Sequence, residues 1–519
     1  MKPLNTSIYT FADLIEGGYL YVDKTEYIHQ LVAPFKGQYF IARPRRFGKS
    51  LLISTLKALF QGRRELFEGL HILESTDFDW PVHPVIHLDL GSAQAVDGAE
   101  LDRKLRDLLV YSAELHDIEI PPHAGDCSSA FLYLLNTLGR SGKRAVVLVD
   151  EYDKPILGNV DNQEKLPEIL RVLKAFYSVI KTTEAHQRFA LLTGVSKFSK
   201  VSIFSDLNNL TDITLDAPFA TMLGYTQAEL EENFAPHIDK LTETGGRQRQ
   251  ELLDDIRDWY NGYRFAEDSP TVYNPVSVMN LFRTGKFRNY WFETGTPTLL
   301  VQLLRQGRLG IEDIESLTLD STAFSAYEIN DLIPEPLLFQ TGYVTIRGYD
   351  QESGLYTLGY PNREVRDSFI RYLAGSFTGV RKEMAQTEAF QLVQALRGYD
   401  IDTFMTRLQP FFAGIEYDLH IPREKYYQTV FYLIVRLLGI YIRTEVKTNI
   451  GRIDAVAEFE DRVYIFEFKL DDTADAALAQ IKSMKYYETF LGTGKNVVLV
   501  GAAFETAARN VVDWQVEEL

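Results

Sequence analysis

The first 215 or so residues alternate unbroken apolar runs with amphipathic stretches. Residues 38–42 and 85–90 read as strands, and 145–149 and 189–193 have the continuous apolar character of strands buried on both faces. Between them, 51–60, 99–116, 129–138 and 166–182 carry apolar residues at helical spacing; in the first these fall at 51, 52, 56, 59 and 60. Strands alternating with helices predict an α/β fold with a mostly parallel sheet covered on both sides. From about 216 the pattern turns helical, and Thr226 with Glu229 three residues on forms a capping box that starts a helix. The aromatic blocks at 259–265 and 290–292 read as core and turn packing. Residues 331–375 read helix, strand (343–347), turn, strand (355–358), helix, a winged-helix-like order. Asp350 and Glu352 at the hairpin tip favour a packing role for it over DNA binding. From about 416 follows a compact α-β-β-β-α-β order. The chain thus divides into an α/β domain over 1–215, a helical subdomain over 216–330, a winged-helix-like and helical connector over 331–415, and a second α/β domain over 416–519. Neither an internal repeat nor a low-complexity linker interrupts it.

Composition narrows the class. At roughly 150 residues per domain, 519 residues suggest three or four domains, and 45% hydrophobic content is ample for their cores. The single cysteine, Cys127, excludes an intrachain disulfide and a Cys-based zinc site and fits a reducing cytosol. Residues 1–7 hold no apolar run, so no signal peptide is expected. No stretch of about 18 uncharged apolar residues occurs, so no membrane span is expected, and the location expected is cytoplasmic. The net charge of −18 argues against a broad nucleic-acid-binding surface, because phosphate contacts need Lys and Arg. It leaves room for a local basic groove or a metal-dependent site.

The first candidate chemistry lies at Arg43-Pro44-Arg45-Arg46-Phe47-Gly48-Lys49-Ser50. Its end matches G-x-x-x-x-G-K-[ST], and it stands between a buried strand and an amphipathic helix. Backbone N–H groups and the helix N-terminus make an anion site there. Lys49 is expected to reach the β and γ phosphates of ATP, and the Ser50 hydroxyl to hold Mg²⁺. The departure is Arg43 at the motif's first glycine; Pro44 also removes one N–H. Arg45 and Arg46 are the candidates to cover lost donors, with Phe47 and Gly48 completing the nucleotide-binding loop. A Gly-Lys-Ser triplet alone is often a surface turn; its flanking elements and the next motif favour phosphate binding. That motif is the apolar strand ending in Asp150-Glu151. Asp150 would hold Mg²⁺ through its water shell and Glu151 would polarise the attacking water. The strand at 85–90, lying between the two motifs in sequence, predicts a sheet with an extra strand between them. Thr193, ending the next strand, is the candidate sensor of the γ-phosphate, with Ser196 and Lys197 as alternatives. No arginine finger is assigned, and Asp23-Lys24-Thr25 fits a helix cap.

The second candidate site lies near the C-terminus. Arg423-Glu424 opens a helix to Leu438, with Gly439 as its stop. Gly451-Arg452-Ile453-Asp454 begins a strand; after a turn near Glu460-Asp461 a second strand carries Glu467-Phe468-Lys469. Gln480 falls on the next helix, ahead of Tyr486 and Tyr487. Residues i and i+2 of a strand face one way, so Glu467 and Lys469 share a side that Asp454 can join. Two carboxylates suit Mg²⁺, with Glu424 as a further ligand. Metal-activated water would be the nucleophile, and Lys469 would orient it or stabilise phosphate charge. The ordinary alternative is a surface hairpin of alternating charge; the flanking helices and a final strand at 496–500 favour the site. Residues 411–519 carry 12 Lys/Arg against 17 Asp/Glu, a poor balance for gripping a polyanion.

With these blocks assembled, Arg43 to Ser50, Val149-Asp150-Glu151-Tyr152-Asp153 and Leu192-Thr193-Gly194-Val195-Ser196 resemble the bacterial AAA-ATPase-like family. The stretch from Gly451 to Lys469 resembles the PD-(D/E)XK nuclease-superfamily domain usually fused to it. The resemblance covers nearly the whole chain; Tyr21-Val22-Asp23-Lys24-Thr25 and Tyr260-Asn261-Gly262-Tyr263 also look like family blocks. The layout is similar to archaeal-type ATPases with G-P-R-R-x-G-K-[ST] loops, where glycine stands in place of Arg43. In the nuclease superfamily the first Asp commonly follows Pro; here Ile453 precedes Asp454. The resemblance implies a P-loop NTPase domain and a restriction-endonuclease-like domain, with ATP and Mg²⁺ as cofactors and DNA or RNA as the polymer acted on. It implies no membrane partner and leaves an oligomer open. Three functions fit: an ATPase that controls a Mg²⁺-dependent nuclease, an ATP-dependent switch whose nuclease-like domain only docks, and a plain ATPase with a decaying C-terminal domain. Intact Asp454, Glu467 and Lys469 argue against the last.

Overall fold

The computed structural model describes residues 1–160, 162, 164–197, 209–291, 298–305, 309–321, 324, 334–378, 384–412, 423–439, 443–449, 452–505, 507–508 and 510–519, with the backbone alone at 298–299, 302, 312, 316, 423–428, 443–449, 452–454 and 486. Phe292 and Gly451 lie outside these residues. The chain forms two compact units, Met1–Leu299 with Glu315–Glu364, and Leu300–Ile314 with Val365–Leu519.

The first unit is built on a five-stranded sheet of β1 (Gly37–Ala42), β2 (Val85–Asp89), β3 (Ala145–Asp150), β4 (Gln187–Gly194) and β5 (Thr211–Asp212), in the order β2-β3-β4-β1-β5. All its pairings are parallel. β3 is wholly buried and β4 leaves only Arg188 partly exposed, as their apolar runs require. The helices Gly98–Glu114, Cys127–Arg140 and Leu166–Thr182 pack on one another; Phe131 stacks on Phe176 with ring centroids 4.9 Å apart. One expectation needs correcting. The strand between β1 and β3 is β4, not the strand at 85–90, which forms the sheet edge as β2. Burial accounts for this, because β2 exposes Asp89 and half-exposes His87, whereas β4 can be covered from both sides and both edges. The outcome sets the C-terminal ends of β1, β4 and β3 side by side.

The capping box at Thr226 is present. Glu229 N–H donates to Thr226 Oγ1 at 3.2 Å and Thr226 N–H to Glu229 Oε2 at 2.7 Å. The same Glu229 pairs with Lys24 at 2.6 Å. Asp23 accepts from the N–H of Thr25 at 2.8 Å and of His71 at 2.7 Å, so Asp23-Lys24-Thr25 ties three segments together besides starting a helix. The aromatic blocks do pack the core: Tyr260 and Tyr263 are at most 1% exposed and Tyr290 and Trp291 are buried. Gly262 has φ +127°, and a Cβ there would meet Pro361 O at 1.8 Å. Replacing Gly262 by alanine combines backbone strain with a backbone clash and is expected to cost at least about 3 kcal/mol of stability. Chemical denaturation would read this as a lower midpoint; an unchanged midpoint would mean the two segments do not approach as described.

A three-stranded sheet in the order β6-β8-β7 follows, with β6 (Leu317–Asp320), β7 (Thr345–Asp350) and β8 (Leu355–Gly359), and the helix Pro334–Thr341 before β7. β6 adds a third strand to the anticipated wing.

The second unit holds the helices Ala385–Arg397, Ile401–Phe412 and Arg423–Leu438 and a sheet in the order β13-β12-β11-β10-β9. Its strands are β9 (Arg443–Asn449), β10 (Arg452–Glu458), β11 (Arg462–Leu470), β12 (Asn496–Glu505) and β13 (Asn510–Glu518). β11 and β12 run parallel, joined through the helix Ala474–Met484; the other pairs are antiparallel. The α-β-β-β-α-β order is therefore extended by β13. This edge strand is mostly solvent-facing, so its sequence lacks the apolar run that marks the inner strands.

Candidate active sites

The first site forms where β1 runs into the helix Lys49–Phe60. Gly48 caps that helix with φ +94°, and Arg46 takes φ +66°, so the loop turns tightly just before the helix N-terminus. Arg43 is 1% exposed and turns into the protein. Its guanidinium donates to the carbonyls of Ala42 (3.0 Å), Thr214 (2.5 Å) and Phe219 (3.3 Å) and lies over the Phe265 ring at 4.1 Å. Burial pulls its pKa down to about 9, against the pull of Asp212, so the group stays cationic at neutral pH. Arg43 thus braces the base of the loop where the motif has glycine. Lys49 Nζ donates to Arg43 O at 2.9 Å and Pro44 O at 3.0 Å. Burial lowers its pKa, and the charges of Asp150, Asp153 and Glu151 oppose that shift. Phe47 is buried edge-on against Tyr263 (4.8 Å) and Phe265 (5.4 Å), anchoring the loop through packing, while the Arg45 side chain is exposed.

Thr193 Oγ1 donates to Asp150 Oδ1 at 2.5 Å, joining the ends of β4 and β3. Glu151 follows with φ +51°, a left-handed conformation that non-glycine residues rarely adopt, and its N–H bonds Asp150 Oδ1 at 3.0 Å. Ser50, Asp150 and Glu151 line one cavity of about 490 Å³ together with Asp89 and Gly91. A Cβ on Gly91 would stand 3.1 Å from Glu151 Oε2, so the glycine leaves that carboxylate room. The hydroxyl of Ser50 and the carboxylate of Asp150 make an all-oxygen donor set of the kind Mg²⁺ takes. Sequence reading passed over Asp153. Its buried carboxylate accepts from Val195 N–H (3.1 Å), Ser196 N–H (2.7 Å) and Ser196 Oγ (2.5 Å), holding the segment after Thr193. Ser196 is thereby tied to Asp153, and Lys197 is ion-paired with Asp212.

The second site lies on the C-terminal sheet. The register sets Asp454 of β10 across from Glu467 of β11, and Glu467 beside Gly501 of β12. The side chains of Asp454 and Glu424 lie outside the described residues. Glu467 has a side-chain exposure of 1%, and Lys469 Nζ stands 3.8 Å from its Oε1. Gln480 Oε1 accepts a hydrogen bond from Lys469 Nζ, so the helix Ala474–Met484 does reach the strand face. Gly501 permits that approach, since a Cβ there would meet Ala474 O at 2.5 Å and Leu478 N at 2.6 Å. Among the described residues no three His, Cys, Asp or Glu side chains gather as a metal nest. The Glu467 carboxylate is an oxygen donor of the kind Mg²⁺ takes.

The parallel five-stranded sheet and the mixed C-terminal sheet agree with the family comparisons. The Predicted AAA-ATPase family matches residues 5–204 and the PD-(D/E)XK nuclease superfamily matches 422–514; the chain belongs to the AAA-ATPase-like family and carries a nuclease-superfamily domain at its C-terminal end. It is 40% identical over 535 residues to the "Uncharacterized protein in vnfD 5'region" of Azotobacter chroococcum mcd 1, an alignment covering 100% of this chain and 99% of that one. Among solved structures, the Aeropyrum pernix ORC2 protein in its ADP form is 12% identical with a TM-score of 0.30, covering 71% of this chain and 94% of that one. Cdc6p of Pyrobaculum aerophilum is 10% identical with a TM-score of 0.25, covering 72% and 95%. None of the described helices is long and apolar enough to cross a membrane.

Proposed function

We propose that the N-terminal domain binds and hydrolyses ATP, and that its nucleotide state controls Mg²⁺-dependent phosphodiester cleavage of DNA or RNA by the C-terminal domain. The observation that carries the first half is the alignment at one sheet end: Lys49 on the phosphate loop, and Asp150 bonded to Thr193 on the two adjoining strands. In this reading Lys49, Gly48 and the loop amides hold the phosphates, with Arg45 and Arg46 above them. Ser50 and Asp150 hold Mg²⁺, Glu151 takes the proton of the attacking water, and Thr193 orients Asp150. At the second site Asp454, Glu467 and Glu424 hold Mg²⁺, and Lys469, steadied by Gln480, stabilises charge on the phosphate. Mg²⁺, when bound, supplies charge neutralisation and a more acidic water. The domains proposed are an ATPase over 1–215, a helical subdomain over 216–330, a connector over 331–415 and a nuclease-like domain over 416–519, all working in the cytoplasm.

A second reading is favoured by the charge of −18 and the acidic excess of residues 411–519: an ATP-dependent switch whose nuclease-like domain docks without cutting. Mg²⁺-dependent cleavage of single- and double-stranded DNA and RNA, with and without ATP, separates the two. In the first reading cleavage disappears in Lys469→Ala and changes in Lys49→Ala. No cleavage of any substrate, with ATP bound by the wild type and not by Lys49→Ala, selects the switch.

A further inference from the structure

Three consecutive carbonyls of the phosphate loop are tied down by side-chain donors. Lys49 takes those of Arg43 and Pro44. The third, Arg45 O, accepts from two donors far along the chain, Trp291 Nε1 at 3.3 Å and Asn274 Nδ2 at 3.5 Å. Both donors are themselves fixed. Asn274, 0% exposed, caps the helix Pro275–Thr284 by accepting from the N–H groups of Val276 and Ser277, which aims its amide nitrogen at the loop. The buried Glu364 carboxylate accepts from Trp291 N–H at 2.8 Å and from Ser277 Oγ at 2.7 Å. Asn274, Ser277, Glu364, Trp291 and Arg45 O therefore close a hydrogen-bonded ring. The Trp291 indole is held edge-on by Tyr343 at 5.3 Å, and Gly342, with φ +89°, lets the chain lie against Pro44.

In a trans peptide the C=O and the following N–H point in opposite directions. A ring that holds Arg45 O therefore aims the Arg46 N–H away from Trp291 and Asn274. That donor matters more here than in a loop without proline at this position, because Pro44 contributes no N–H. The geometry points to Trp291 and Asn274 as positioning residues of the phosphate loop, which set the Arg45–Arg46 peptide for an anionic phosphate; this rests on the ATP-binding reading above.

The test uses the full chain, with MgADP and a non-hydrolysable MgATP analogue titrated calorimetrically. Trp291→Phe keeps an aromatic ring and deletes the N–H. Asn274→Ser keeps a helix-capping oxygen, buries no charge and deletes the amide donor. Each is expected to bind nucleotide about threefold to tenfold more weakly, the loss for one hydrogen bond, with nucleotide-free melting unchanged. MgADP should also alter tryptophan emission in the wild type and in Trp259→Phe, and not in Trp291→Phe. Wild-type affinity in both variants overturns the inference and leaves the ATP-binding reading standing. Affinity that falls only together with melting temperature also overturns it, since the loss then follows from packing. A wild type that binds no nucleotide overturns the underlying reading first.

Discussion

Replacing Glu151 by glutamine is expected to slow ATP hydrolysis by about 10²–10⁴-fold while leaving ATP bound as in the wild type. The amide fills the same space, so the loss isolates proton acceptance. The setting of Glu151 explains why one side chain carries so much. Its φ of +51° is strained for a residue with a Cβ, by roughly 1–2 kcal/mol, and the bond from its N–H to Asp150 helps to hold that conformation. The carboxylate is directed into the cavity it shares with Ser50 and Asp150, and Lys154 Nζ lies 3.5 Å from Oε2. Phosphate release at saturating ATP, paired with equilibrium binding, gives the two numbers needed. Hydrolysis at the wild-type rate would remove Glu151 from the reaction.

The second large effect belongs to Glu467→Gln, for which cleavage is expected to drop by at least about 10²-fold. The substitution takes a negative charge from a position with 1% side-chain exposure. Burying a carboxylate costs more than burying its amide, and Lys469 keeps its bond to Gln480, so melting temperature should hold or rise as activity disappears. Stability and cleavage moving in opposite directions would mark Glu467 as kept for chemistry. A variant that cuts as well as the wild type would show that the carboxylate plays no part, whatever its place in the fold.

Much of this was legible from residue order alone. Strands such as 145–149 are apolar throughout because both faces are covered, and the helix Lys49–Phe60 shows its spacing openly. Thr226 and Glu229 signal their helix because capping is a contact between near neighbours. Lateral order in a sheet has no such local trace, which is why β4 rather than β2 proved to lie beside β1. Arg43 read as a departure from a glycine motif; its partners at Thr214 and Phe219 are more than 170 residues away, beyond any periodicity. Asp153 was given no role of its own, because only the fold brings Ser196, 43 residues away, to it. Gly501 left no signal at all in a chemical search, since its contribution is the absence of a side chain against Ala474 and Leu478.

The inward turn of Arg43 bears on ionic strength. Dissolved ions screen charges they can approach, over about 8 Å at physiological salt. The protein's net charge of −18 resides mainly on accessible carboxylates, and its repulsion of a nucleotide fades as salt is added. A guanidinium only 1% exposed at the foot of the phosphate loop is out of reach of those ions. Its positive potential is screened much less than that of a surface charge, so in the proposed reading an acidic protein keeps a comparatively salt-resistant attraction for the phosphate at its loop.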